Sequence, residues 1–350
     1  MNDRINVNVL DKYDVILESG ALYKCGEYIR EKTNATKAAI ITDDIVAKLY
    51  LDTVVKSVED KGMKAFVFIF KNGEPSKNHD TLTDIYEFLA DSGITRKDII
   101  IALGGGVVGD TAGFAAATYL RGVNFVQIPT TFLAQIDSSV GGKTGVNIKN
   151  GKNLVGAFWQ PIVVICDFNT LNTLPDEILK DSVSEAIKYG LIADKDLFYD
   201  LLTKDFNQIY KGIVARCVEI KARIVGNDEH ESGERMLLNF GHTLGHAIER
   251  CSGYSVSHGK AVGMGIKLIS KAQLENGSIS ENDYNDILTA LNKFNLNNES
   301  GFTIDELLSA CMTDKKRVFD DINIVLLSKI GKAYVKRMTI DEFNSFMQGD

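Results

Sequence analysis

Proline placement divides this sequence more sharply than any other feature. The four prolines stand at positions 75, 129, 161 and 175, and residues 176–350 contain none. A proline inside a helix costs roughly 3 kcal/mol through a lost N–H and a ring clash, so a proline-free half can be helical. The first half reads differently. Short apolar, β-rich runs at 38–42, 65–70, 99–103, 125–128 and 162–166 alternate with helix-like stretches at 45–59 and 81–90. Such alternation predicts an α/β domain with a mostly parallel sheet and helices on its faces. Helical spacing over 177–189, 213–225 and 243–250 predicts a mainly α-helical second domain, with a small β-like patch near 322–327 and 333–335. The boundary is placed near Asp167 to Pro175, giving domains of 1–169 and 170–350.

At 350 residues the chain suits two domains sharing a cleft. Its formal net charge of −8 and pI of about 5.3 make it a poor general binder of nucleic acid or anionic lipid. An anionic substrate must therefore meet a local cluster of Lys and Arg. Five scattered cysteines, odd in number and without a CxxC pair, predict reduced thiols in a cytoplasmic protein. No run of eighteen apolar residues is present, so no membrane span is expected.

Two segments carry chemistry. In the first, an apolar strand runs through Gly104-Gly-Gly-Val-Val-Gly-Asp110 into a helical stretch, and Gly104, Gly106 and Gly109 satisfy G-x-G-x-x-G. Glycines let a backbone approach a pyrophosphate, and the following helix start supplies free N–H groups. A tight structural turn is the other reading: the strand is not the first, and no acidic residue follows at about twenty residues to hold a ribose. Asp43 and Asp44, which end an earlier strand, fit either an adenosine contact or a helix N-cap.

In the second, three of the five histidines, His242, His246 and His258, fall within seventeen residues. His242 and His246 are spaced i,i+4 and share a helix face. Clustered imidazoles suit a transition metal, which needs a third ligand and an open position for catalysis. Glu185 is the best-placed acid; Glu185 and Lys188 read equally as an i,i+3 surface pair.

These blocks resemble the 3-dehydroquinate synthases. The resemblance is carried by the glycine loop, by Ile128-Pro-Thr-Thr131, and by Asp137-Ser-Ser-Val-Gly-Gly-Lys143. It continues through Lys152-Asn-Leu-Val-Gly-Ala-Phe-Trp-Gln160, Ser184-Glu-Ala-Ile-Lys-Tyr-Gly190, the histidine segment Leu238 to Glu249, and Asp314-Lys-Lys316. It implies a Rossmann-like first domain, an active site in the interdomain cleft, a homodimer, bound NAD and a divalent zinc or cobalt. The reaction implied turns 3-deoxy-D-arabino-heptulosonate 7-phosphate into 3-dehydroquinate and phosphate, with NAD reduced and reoxidised on the enzyme.

Position by position, the resemblance assigns the metal to Glu185, His242 and His258. His246 then becomes a catalytic polar group, which revises the direct reading of the histidine pair. Glu231 is given an acid–base role, and Lys152 and Arg121 are counted as catalytic. The NAD contacts implied are Asp43, Glu74, Lys77, Gly105, Gly106, Val107, Asp110, Thr130, Thr131, Lys143, Lys152 and the turn Thr170, Leu171, Asn172 and Thr173. Substrate contacts fall on Asp137, Lys143, Asn153, Lys188, Lys221, Arg235, Asn239 and Lys315, with Lys316 as the alternative register. Any single lysine among them reads equally as a solvated surface charge. Another sugar-phosphate cyclase, a metal-dependent polyol dehydrogenase and a nucleotide sensor with a structural metal are the rival readings. Dehydrogenases release NADH, and the anion cluster argues against them.

Overall fold

The structure is a computed structural model and describes residues 3–315 and 321–349. Its contacts divide the chain into two compact units. One holds residues 1–174 and 217–230, the other 175–216 and 231–350.

The first unit contains β1 (Arg4–Val7), β2 (Tyr13–Glu18), α1 (Cys25–Arg30), β3 (Lys37–Asp43), α2 (Val46–Glu59), β4 (Lys64–Phe70), α3 (His79–Asp91), β5 (Ile99–Gly104) and α4 (Gly106–Thr118). It continues with β6 (Asn124–Pro129), the hairpin β7 (Lys143–Ile148) and β8 (Gly151–Phe158), and β9 (Val163–Asp167). Seven strands form one sheet in the order β1-β2-β9-β6-β5-β3-β4. Only the β1–β2 pair is antiparallel.

The central strands are buried along their length, which explains their unbroken apolar runs. Their side chains alternate between two cores. Ile99, Ile101 and Leu103 pack with Val54 and Val58 of α2, whereas Ile100 and Ala102 pack with Leu82, Ile85 and Leu89 of α3 and Ala112 of α4. The chain order reverses direction between β3 and β5. Ligands of open α/β sheets gather at the carboxyl ends of strands flanking such a point, where Asp43 and the glycine loop lie.

The second unit contains α5 (Asp176–Ala193), α6 (Lys195–Thr203), α8 (His242–Cys251), α9 (His258–Glu275), α10 (Glu281–Lys293), α11 (Ile304–Lys315), the hairpin β10 (Asp321–Lys329) with β11 (Lys332–Thr339), and α12 (Ile340–Gln348). Helix α7 (Phe206–Asn227) contributes to both units. This differs from a single cut at 169/170. Residues 217–230 join the first unit because Glu229 accepts from Leu10 N–H and Gln160 Nε2, and Lys221 bonds to Asp137. Periodicity identifies a helix there without identifying which core it packs on. Among the described residues, no helix is long and apolar enough to cross a membrane.

Asp167, at the end of β9, ties down the turn that follows it. Its buried carboxylate accepts N–H bonds from Gly20 at 2.8 Å, Leu22 at 3.0 Å and Asn169 at 2.9 Å. Asp167→Ala strands buried N–H groups, so unfolding stability is expected to fall by about 3 kcal/mol; an unchanged urea midpoint would refute this.

Candidate active site

In the second unit, α5, α8 and α9 each bring one donor to a common point. His242 Nε2 lies 3.1 Å from Glu185 Oε1, and His258 Nε2 lies 3.4 Å from the same oxygen. The donor atoms of Glu185, His242 and His258 all lie within 4.8 Å of one another. Close helix packing makes this possible: a Cβ on Gly265 of α9 would sit 2.1 Å from the Gly241 carbonyl that opens α8. Only glycine permits that approach.

The donor chemistry fits a divalent cation. Glu185 is wholly buried, yet neither carboxylate oxygen accepts a hydrogen bond of sound geometry. Its oxygens are aimed instead at the Lys188 ammonium and the two imidazoles. His242 Nδ1 lies 3.1 Å from the Phe240 carbonyl, which can only accept. Nδ1 therefore carries a proton, which leaves Nε2 as the ring atom able to offer a lone pair to a cation. Glu249 Oε2 lies 3.5 Å from His258 Nδ1 and orients that ring similarly.

Electrostatics follow from this crowding. Burial opposes ionisation of Glu185, but Lys188 and His242 outweigh it and hold the carboxyl well below the usual range. For His258, burial disfavours the imidazolium, yet Glu185 and Glu249 prevail and push its pKa up to about 10. A bound cation would replace that proton. Desolvation, then His242 and His258, push His246 down to about 4, so it is neutral near pH 7. His246 stands outside the tight triad and groups with Glu249 and His258.

The surface-pair reading of Glu185 and Lys188 is overturned: both are buried, and Lys188 also lies 4.9 Å from the Tyr189 ring centroid. Arg235 is among the largest fully buried side chains. Asn239 Nδ2 donates to Glu231 Oε1 at 2.8 Å, and Glu231 takes a left-handed φ of 60°. Lys315 closes α11, but its side chain, like Lys316, lies outside the described residues.

The nucleotide candidates gather in the first unit. Gly105 precedes α4, and no side chain caps that helix, leaving N–H groups for an anion. Thr131 packs on Gly105, with its Cγ2 3.1 Å from where a Cβ would stand. The buried Thr130 hydroxyl has no hydrogen-bond partner. Val107 and Asp110 lie in the first turns of α4. These features fit a dinucleotide phosphate. Lys77, buried, pairs with Asp110 and also donates to Asn153 Oδ1. Asn147 donates to Glu74 and accepts from Asn153 N–H, so the segment around Glu74 braces the hairpin that carries Lys152 and Asn153. Lys143 opens that hairpin, and Lys221 pairs with Asp137.

Several of the other candidates also make structural bonds. Asp43 Oδ1 accepts from Ile45 and Val46 N–H groups, both at 2.9 Å, so that oxygen secures the entry to α2 from two residues before its N-cap, Ile45. Thr170 donates inward to the Asp167 carbonyl, and Thr173 bonds to Tyr50. Leu171 is buried, while Asn172 beside it is exposed. Arg121 is exposed in a left-handed turn after α4. Sequence reasoning did not find Glu249, the Phe240 carbonyl or Gly265. Gly241 and Gly245 at i,i+4 on the His242 segment were the available signal for close helix packing.

Glu185→Gln is expected to abolish zinc or cobalt binding, and to cost about 3–5 kcal/mol of stability because Lys188 loses its buried counter-charge. Adding Lys188→Met should restore most of that stability but no metal binding. Chemical denaturation with and without metal checks both outcomes, and a single variant as stable as the parent would refute the buried-pair account.

Family models described as 3-dehydroquinate synthase N-terminal and 3-dehydroquinate synthase C-terminal match residues 67–181 and 182–317. A 3-dehydroquinate synthase of Streptococcus suis is 43% identical over 343 residues, covering 96% of this chain and 97% of the relative. That of Pelobacter propionicus is 42% identical and covers 95% of each. Among solved structures, 2-deoxy-scyllo-inosose synthase, crystallised with carbaglucose-6-phosphate, NAD+ and Co2+, aligns with a TM-score of 0.87 at 25% identity over 99% of both chains. An iron-containing alcohol dehydrogenase shares the fold, with a TM-score of 0.67 at 17% identity over 96% of each chain. With both halves matched and relatives alike over nearly its whole length, the chain belongs to the 3-dehydroquinate synthase family.

Proposed function

We propose that this chain converts 3-deoxy-D-arabino-heptulosonate 7-phosphate into 3-dehydroquinate and phosphate, as a homodimer in the cytoplasm. The observation that carries the reading is the convergence of His242 and His258 on the wholly buried carboxylate of Glu185, with all three donor atoms within 4.8 Å of one another. Those three residues would hold a divalent zinc or cobalt, and the start of α4 with Thr130, Lys77 and Asp110 would hold NAD. The relatives support both groups: one cyclase was crystallised with NAD+ and Co2+, and a valiolone synthase with NAD+ and Zn2+. When bound, the cation acidifies a coordinated hydroxyl and NAD takes up and returns a hydride.

The chain's own residues supply charge and orientation. Its net charge of −8 repels an anionic substrate at long range, so local groups must bind carboxylate and phosphate; the candidates are Arg121, Lys143, Lys152, Asn153 and Lys221 in the first unit and Lys188, Arg235 and Asn239 in the second, with Lys315 carried from the sequence alone. Charge-assisted bonds to such groups are roughly twice as strong as neutral ones. Lys188, Lys221 and Arg235 are buried, so their geometry is set before substrate arrives. Asp137, held by Lys221, orients a substrate hydroxyl. His246 and Glu231 are the polar groups left to hold or pass protons.

Purified protein given the heptulosonate phosphate, cobalt or zinc and a trace of NAD should release inorganic phosphate with no net rise in NADH absorbance. Steady NADH accumulation would instead indicate a dehydrogenase. Lys152→Ala should raise the substrate KM at least tenfold; an unchanged KM would remove Lys152 from the anion contacts.

A further inference from the structure

We propose that Asp181 is a positioning residue for the metal ligands: by capping the helix that carries His258, it holds that imidazole in register with Glu185. The inference rests on the metal reading above. Asp181 and Glu185 are four residues apart on α5, so both side chains leave the same face. The Asp181 carboxylate meets the first turn of α9. Its Oδ1 accepts from the Ser257 hydroxyl at 2.5 Å and the Lys260 N–H at 2.9 Å, and its Oδ2 accepts from the Gly259 N–H at 3.1 Å.

Ser257 holds the N-cap position of α9, yet its own side chain caps nothing. A carboxylate 76 residues earlier in the chain does so instead, and its charge also faces the positive end of the helix. His258 is the residue between Ser257 and Gly259, both of which bond to Asp181. The backbones touch here as well: a Cβ on Gly259 would lie 1.9 Å from the Asp181 carbonyl oxygen. One side chain therefore fixes where α9 begins relative to α5, and with it the 3.4 Å separation of His258 Nε2 and Glu185 Oε1. An ordinary cap would lower stability and leave the affinity of the folded protein for a cation unchanged. A positioning residue changes that affinity.

The test is the Co2+ and Zn2+ dissociation constant of the full chain, measured by chelator competition well below the unfolding temperature, together with the visible Co2+ spectrum. Asp181→Ala is expected to weaken binding about 10- to 100-fold, the usual effect of losing a group that orients a ligand, and to shift the spectrum. Asp181→Asn keeps a carbonyl oxygen for the Lys260 N–H and should recover part of the loss; Ser257→Ala should lose less than Asp181→Ala. A folded Asp181→Ala protein with parental affinity overturns the proposal. Equal losses in Asp181→Ala and Asp181→Asn would assign the effect to charge alone and also overturn it. Should Asp181→Ala fail to fold, parental affinity in both milder variants does the same. A parent protein that binds neither ion sinks the metal reading itself, a separate result.

Discussion

A carboxylate shut away from water governs the second unit. An ionised acid buried without partners is costly, and Glu185 avoids that cost through the Lys188 ammonium on its own helix and imidazoles brought from two others. Each demand on the surrounding chain follows. Helices α5, α8 and α9 must approach to backbone contact, which is why glycines stand at positions 259 and 265. The imidazoles must turn Nε2 toward the acid, which is why a carbonyl and a second carboxylate sit behind them. Fold and chemistry here are one arrangement.

The first unit solves a different problem with dipoles. A chain with a net charge of −8 needs local features to hold anions, and the candidate one lies where a parallel sheet reverses its winding and a helix begins with no side-chain cap. Buried Lys77 adds a full charge beside Asp110. Because Lys77 also bonds to Asn153, the same ammonium steadies the hairpin of β7 and β8. Asn153 adopts a left-handed φ of 56°, a conformation its short amide side chain tolerates.

Much of this was legible in the sequence, for reasons particular residues show. Strands β3, β5, β6 and β9 are covered on both faces, so their unbroken apolar runs announce them. The hairpin of β7 and β8 was not legible, because its Gly, Lys and Asn residues interrupt any apolar alternation and read as loop. Histidine spacing singled out the His242–His246 pair, and only the resemblance moved the second ligand to His258, which the structure groups with His242. Glu185 came through as the best-placed acid, and the structure sets it beside them. Glu249 and the Phe240 carbonyl did not come through, since their value lies in where a neighbouring ring points. Nor did the capping role of the Asp43 Oδ1 atom separate from its nucleotide reading, because a helix start and an anion site use the same chemistry.

Strand β5 feeds alternate residues to two cores and ends in the glycine loop. Its side chains can be exchanged for others of similar bulk, but its length cannot change. Removing one residue would send every later side chain to the wrong layer and pull the glycine loop back by about 3.3 Å. The strand is thus a ruler as well as a wall.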